Sequence, residues 1–513
     1  MSETNHSRQI KIGAVLSYLQ MGLSLLLGII YTPVMISKLG QSEYGLYNIA
    51  ASTISMLSIL SLGFGSGYLR FYAKYRAKGE KDSIYRLNGL FLLTFSIIGM
   101  VALIIGCFLS FHLELVYDNG LTAGEYTIAR VLMLLLTVNL ALSFPMSVFN
   151  TIISANEQFI FQKVINMGKT VLTPLLTIPL LFAGFKSIAV VAVTVLLTFV
   201  VDVFNILYVV KKLKNKFYFR NFEKGIFKQI FVYTTFIMIN TIVGQINWNV
   251  DKVLLGRFQG TAAVAVYAVA STLHVSYENF STCVSNVFRT KVHMLVNTTN
   301  ENRAEQRLQL TNLFVRVGRI QFLILGLVLS GFIFFGKQFI TCFWAGPEYE
   351  ESYYIAVLLL VSVSIVLIQN IGIDIQRAMD KHRFRSIAYL FMSVVNLLLT
   401  VWLCQIYGAI GAAIGTAMSV IVVDGLIINV FYHKQCNVNV LEFWRNILRM
   451  SVGLIPPVLF GIVAQRFLDL GKIVPFIGGI VLYTFIYAVS VWNVSMNEEE
   501  KLLFKNFLVK KRK

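Results

Sequence analysis

Long runs of apolar residues dominate the chain, each near the roughly 20 residues a helix needs to cross a bilayer. They fall at 13–36, 46–68, 88–110, 127–152, 164–184, 187–210, 230–250, 262–285, 318–339, 354–376, 386–406, 408–432, 447–465 and 473–493. The pattern predicts an all-α polytopic membrane protein with about 14 transmembrane helices. No soluble domain fits between the spans. The longest connection, 286–317, mixes Glu301, Arg303, Glu305 and Arg307 with Leu308, Leu310 and Leu313, which predicts an amphipathic extension of the next helix.

An even count puts both ends on one side, and the basic residues select the side. With the N-terminus inside, the inner segments hold 36 of the 44 Lys and Arg and the outer segments 8, so both termini are expected in the cytoplasm. The outer connections are acidic, with Glu114, Asp118 and Glu125 in one and Glu348, Glu350 and Glu351 in another. The N-terminus is polar as far as Lys11 and then runs straight into an apolar block with no small-residue cleavage site, as an uncleaved first helix does.

Composition agrees. Of 513 residues 57% are hydrophobic and 13% charged, and the mean hydropathy is +0.71. Soluble chains lie nearer about half and about a quarter. This excludes an ordinary soluble enzyme, a disordered chain and a secreted disulfide scaffold. The net charge of +19 follows from the inner loops, so no nucleic-acid partner is expected. Cys107, Cys283, Cys342, Cys404 and Cys436 form no CxxC pair and read as packing residues, with no metal site.

The chain repeats itself. Val200-Val201-Asp202 at the end of the sixth block matches Val422-Val423-Asp424 at the end of the twelfth. Leu39-Gly40 followed by Tyr47 and Ala50 matches Leu255-Gly256 followed by Tyr267 and Ala270, with a longer spacer. Two parallel six-helix lobes are expected, 1–212 and 213–434, then helices thirteen and fourteen (435–495) and a basic cytoplasmic tail (496–513). Pseudo-symmetric halves with a site between them are a transporter design.

Polar residues gather in equivalent helices. In helix seven Asn240, Gly244, Asn247 and Asp251 share one face at helical spacing, with Gln245 beside them. Helix eight carries Tyr267, Ser271, His274, Glu278 and Ser285 in one stripe, and helices one and two add Ser17, Tyr18, Gln20, Asn48, Ser52 and Ser55. These four helices are expected to line a central polar cavity. His274 and Glu278 form either a proton or cation site or a hydrogen-bonded pair between helices. Asp374 is expected in a local ion pair with Arg377, and Asp202 and Asp424 in an inherited capping or packing role. Lys169, Arg130 and Arg70 either bind an anion in the cavity or snorkel to headgroups. No P-loop, HExxH or GxSxG is present, so an ATP motor and hydrolytic catalysis are not expected in the chain.

The segment Leu39-Gly40-Gln41-Ser42-Glu43-Tyr44-Gly45-Leu46-Tyr47 resembles the opening of Wzx-type polysaccharide flippases of the multidrug/oligosaccharidyl-lipid/polysaccharide (MOP) exporter superfamily. Asp251-Lys252-Val253-Leu254-Leu255-Gly256 and Tyr407-Gly408-Ala409-Ile410-Gly411-Ala412-Ala413 are similar to its second-half counterparts, so the resemblance runs along the whole chain. It implies a flippase, not an enzyme, that turns an undecaprenyl-pyrophosphate-linked oligosaccharide from the inner to the outer leaflet of the bacterial cytoplasmic membrane by alternating access. Surface polysaccharide export would follow, with membrane lipids as surroundings, polymerase and glycosyltransferases as partners, and a monomer as the working unit. Lys169, Arg130 and Arg70, with Asn240, Gln245, Asn247 and His274, would meet the substrate; Glu278, Asp251 or Asp374 would couple Na+ or H+, with no other cofactor. A lipid II flippase and a cation-coupled drug antiporter of the same fold are the alternatives.

Overall fold

In the computed structural model the described residues are 3–61, 63–118, 120–222, 225–298, 303–379 and 381–502. Fourteen long helices follow in order, numbered here α1 (3–39), α2 (41–61 and 64–78, broken at Gly63), α3 (81–111), α4 (123–155), α5 (159–182), α6 (187–212), α7 (226–258) and α8 (260–298). They continue as α9 (303–344), α10 (347–378), α11 (382–407), α12 (409–435), α13 (440–467) and α14 (473–495). No strand occurs among the described residues. The protein is a multi-pass membrane protein, with apolar helices long enough to cross a bilayer. Their outward faces stay apolar, as at Ile97, Met100 and Ile104 of α3 or Leu398 and Trp402 of α11, because lipid covers them.

α1 runs into α2 across a single non-helical residue, Gly40, at φ 75°. A left-handed residue reverses the chain cheaply only where there is no Cβ. The device recurs at Gly184 between α5 and α6, at Gly260 between α7 and α8 and at Gly408 between α11 and α12. Gly260 stands to Gly40, and Gly408 to Gly184, at nearly the offset that separates Asp202 from Asp424. The break of the second half therefore falls four residues beyond Gly256, the glycine of the sequence match.

By Cα packing the chain divides into two compact units, residues 1–268 with 397–412, and residues 269–396 with 413–513. The first has an aromatic core of Tyr68, Phe71, Tyr72, Phe91, Phe95, Phe144 and Phe149, joined by Ile226 and Ile230 of α7. There Tyr68 donates to Asn88 at 2.6 Å, and Asn88 donates to the Lys216 carbonyl at 3.1 Å, tying the linker before α7 to α3. In the second unit Phe314, Tyr432 and Phe443 meet edge to face, fixing α9 against α12 and α13.

The 286–317 connection is two helical extensions: α8 continues to Thr298, and α9 begins at Arg303 and buries Leu310 and Leu313. Asn300 and Glu301 lie outside the described residues. The start of the tail is docked. Asn497 and Glu500 cap each other reciprocally at 2.9 Å, and Glu500, 2% exposed, accepts from Arg319 at 2.6 and 2.8 Å. Arg319 also donates to the Ser495 carbonyl at 2.8 Å. The basic run Lys510–Lys513 lies outside the described residues.

Candidate functional site

In the first unit α7 lies against α2. A Cβ at Gly67 of α2 would stand 3.1 Å from side-chain carbons of Ile230 and Thr234, so the two helices touch closely. The polar stripe of α7 meets a local change of geometry. Residues Ile246–Val250 form a π-helical turn, which takes more than the usual 3.6 residues per turn. The wide turn rotates Asp251 away from the face that ideal α-helical spacing assigns it with Asn247. Asp251 is buried and accepts from the Tyr267 hydroxyl, and Gln245 accepts from Asn249 at 2.6 Å. The side chain of Asn240 lies outside the described residues; Asn247 is half-buried.

Lys169 is half-buried within α5. Its ammonium donates to the Thr198 hydroxyl of α6 at 2.7 Å, and that hydroxyl donates in turn to the Thr194 carbonyl at 2.7 Å. Asp202, one turn farther along α6, acts on Lys169 electrostatically. The other two candidate anion ligands are exposed: Arg130 stands 5.9 Å from the Phe111 ring, and Arg70 lies on α2, whose last turn is basic.

In the second unit His274 is 2% exposed. Glu278, a turn further on, is half-buried and makes no hydrogen bond or ion pair among the described residues. Ser285, at the end of the same stripe, accepts from Gln321 at 3.3 Å and from Asn370 at 3.1 Å, so this part of the stripe joins α8 to α9 and α10. Asp374 is buried and doubly paired, with Arg289 at 3.0 Å and with Arg377 at 3.8 Å. The local pair expected from the sequence is present, and the closer partner comes from α8. Asp424 accepts from the Tyr389 hydroxyl and pairs with Arg385 at 3.8 Å, in a cluster with no room for water. Lys169 of α5 thus faces Asp202 of α6, and Arg385 of α11 pairs with Asp424 of α12.

A cluster that the sequence reading did not single out sits where the α1–α2, α3–α4 and α7–α8 connections of the first unit meet. Glu125 is the hub. One carboxylate oxygen accepts from Ser42 at 2.5 Å and from Thr261 at 2.8 Å; the other closes the capping box with Thr122. A Cβ at Gly45 would stand 1.9 Å from the Thr261 carbonyl oxygen, so no other residue fits there without moving the turn. Gln259 donates to the Cys404 carbonyl at 3.0 Å, and Arg257 to the carbonyls of Leu115 and Val116. Ser42 and Gly45 stand within the Leu39–Tyr47 motif, but their partners lie 83 and 216 residues away, beyond any local signal. Removing Glu125 should loosen this layer. With the other cysteines replaced by serine, buried Cys404 should react with a maleimide about tenfold faster in Glu125→Ala than in the parent. Equal rates would mean that the carboxylate does not hold the turns together.

Among the described residues no group of three metal-ligating side chains occurs. The family model described as "Polysaccharide biosynthesis protein" matches residues 12–284. A Shigella flexneri protein named "Putative O-antigen transporter" is 21% identical over 411 residues, spanning 78% of this chain and 92% of that protein. Among solved structures, "Lipid II flippase MurJ, inward closed conformation" superposes at a TM-score of 0.70 with 17% identity, over 93% of this chain and 98% of that one. An inward-facing multidrug resistance MATE family transporter of the MOP superfamily superposes at 0.59 with 15% identity, over 81% and 96%.

Proposed function

Since the chain belongs to the polysaccharide biosynthesis protein family and has the fold of MOP-superfamily transporters, we propose that it is a flippase for an undecaprenyl-pyrophosphate-linked oligosaccharide. It turns this lipid from the inner to the outer leaflet of a bacterial cytoplasmic membrane by alternating access, with both termini in the cytoplasm. The charge asymmetry of the loops supports the orientation. The name of the Shigella relative supports the substrate class.

The observation that carries the reading is Lys169. A charge at membrane depth is costly and is retained where it works. Here it is held within the bundle by Thr198 rather than at an interface, next to Asp202. A pyrophosphate can take over the ammonium that Thr198 and Asp202 hold in its absence. The sugar needs polar walls, and α7 carries the half-buried amides Gln245 and Asn247 in the same unit as Lys169, whereas His274 is buried. The prenyl chain needs an apolar path, and the lipid that covers the apolar outer faces of the helices supplies one. Glu278, half-buried and without a partner among the described residues, is the carboxyl best placed to bind the coupling ion; Asp374 already has two arginines. Arg130 and Arg70, both exposed, would meet the pyrophosphate only as it arrives or leaves.

The test is a cell lacking the gene, in which the leaflet of each lipid-linked sugar is measured by its access to a periplasmic glycosidase. Complete repeat units should accumulate on the cytoplasmic face while surface polysaccharide is lost. An unchanged lipid-linked pool with unchanged surface glycan refutes the reading.

A further inference from the structure

We propose that a cavity on the basic-loop side of the second unit is a binding site for a phosphate group, separate from the transport path. The cavity has a volume of about 530 Å³, within the size range of small-molecule sites. It is walled by the extensions of α8 and α9, the first turns of α13 and the docked start of the tail. The site stands whether or not the chain flips a sugar lipid.

Its chemistry is donor-rich. Lys291 reaches it from α8, Arg316 and Arg319 from α9, with the carboxamides of Asn312, Asn446 and Asn497 between them. The acids on the wall are Glu499 and Glu500. Glu500 is consumed: both of its oxygens accept from Arg319, and one also accepts from the Asn497 amide. Arg319 is consumed with it. What remains is Lys291 and Asn312, neither with a partner among the described residues, and Arg316, which reaches Glu499 only at 4.0 Å. Glu499 is itself 74% exposed, so an incoming anion can displace it into water. An unpaired lysine and an arginine facing across a pocket from different helices, with an amide between, give a point charge and a planar fork to one ligand. That is the donor set that a tetrahedral oxyanion uses best.

Two sources can supply the phosphate. One is soluble. The other is the headgroup of an anionic lipid, because exposed apolar and basic residues stand beside the cavity. The α13 segment Val440–Ser451 buries Val440, Phe443, Ile447 and Met450 while leaving Leu441 and Leu448 exposed beside Arg445 and Arg449, as a helix lying in the interface plane does. In either case the occupant rests against residues 497–500, so binding should also hold the tail in place.

The full-length protein in nanodiscs of neutral phosphatidylcholine, titrated with inorganic phosphate and followed by its thermal unfolding, tests the soluble source. Native mass spectrometry of the protein from bilayers containing phosphatidylglycerol tests the lipid source. Saturable stabilisation by phosphate, or retention of one phosphatidylglycerol, is expected. Lys291→Gln with Arg316→Gln should weaken whichever is seen by roughly a hundredfold, as the loss of two charge-assisted hydrogen bonds does. Glu499→Gln should tighten it several-fold, a readout that misfolding would not imitate. Arg307→Gln, on the same helix extension but outside the cavity, should leave it unchanged. The proposal is overturned by absence of both signals, by a double variant that binds like the parent, or by Arg307→Gln weakening binding as much as the double variant, which would mean general attraction of anions to a basic face.

Discussion

Replacing Arg319 with alanine should destabilise the protein by about 3–5 kcal/mol, since one partner of a buried pair is removed and the other is left charged in the interior. The side chains of Arg319 and Glu500 are 9% and 3% exposed, and Arg319 also holds the Ser495 carbonyl. This clamp joins α9 to the end of α14 and the tail. Its loss should lower the unfolding temperature in detergent and the amount of protein in the membrane. Glu500→Gln should cost less, because an amide still accepts from Arg319 and can still cap Asn497. The double variant Arg319→Met with Glu500→Leu should also cost less than Arg319→Ala, because neither charge then stays buried alone. An Arg319→Ala protein that melts with the parent would show that the pair contributes nothing to stability.

Lys169→Ala should reduce export roughly ten- to a hundredfold, the worth of one charge-assisted hydrogen bond to a phosphate at membrane depth. The measurement is surface polysaccharide in cells complemented at matched membrane levels. Lys169→Arg should keep most of the activity, because the charge is preserved. Alanine also leaves half-buried Asp202 without its cation, and Lys169→Ala with Asp202→Asn separates the two effects. The pair of substitutions should recover the stability lost with Lys169 alone and still fail to export. Full export by the double variant would assign Lys169 to packing only.

Much of this architecture was legible in the sequence, and the reason is length. A helix must present about 20 apolar residues to cross a bilayer, so the strongly apolar helices announce themselves, whereas α7 and α8, interrupted by polar residues, are not among the described helices apolar enough to cross by composition. Asp202 and Asp424 were legible because they are costly residues within apolar runs. Their partners were not. Arg385 stands at the far end of another helix from Asp424, and Arg289 lies 85 residues from Asp374, while the sequence reading could only offer Asp374 its neighbour Arg377. The tail, legible only as basic, starts in a buried capping box, because the acceptor that matters, Glu500, answers to Arg319, which lies 181 residues earlier. Helical periodicity also failed at Ile246–Val250, where one wide turn changes which residues share a face. Hubs of hydrogen bonds between distant turns, such as Glu125, leave no periodic trace at all.

The turn layer around Glu125 is built almost wholly from neutral partners. Thr261 and Ser42 offer hydroxyls, Gln259 offers an amide, Arg257 addresses carbonyls, and Gly45 offers only fit. Among the described residues no ion pair ties the α7–α8 turn to its neighbours. Dissolved ions screen attraction between separated charges, over about 8 Å at physiological strength, and do little to a hydrogen bond with a neutral hydroxyl or to a close steric fit. On the side proposed to face the surroundings, a seal made this way holds alike in dilute water and in brine.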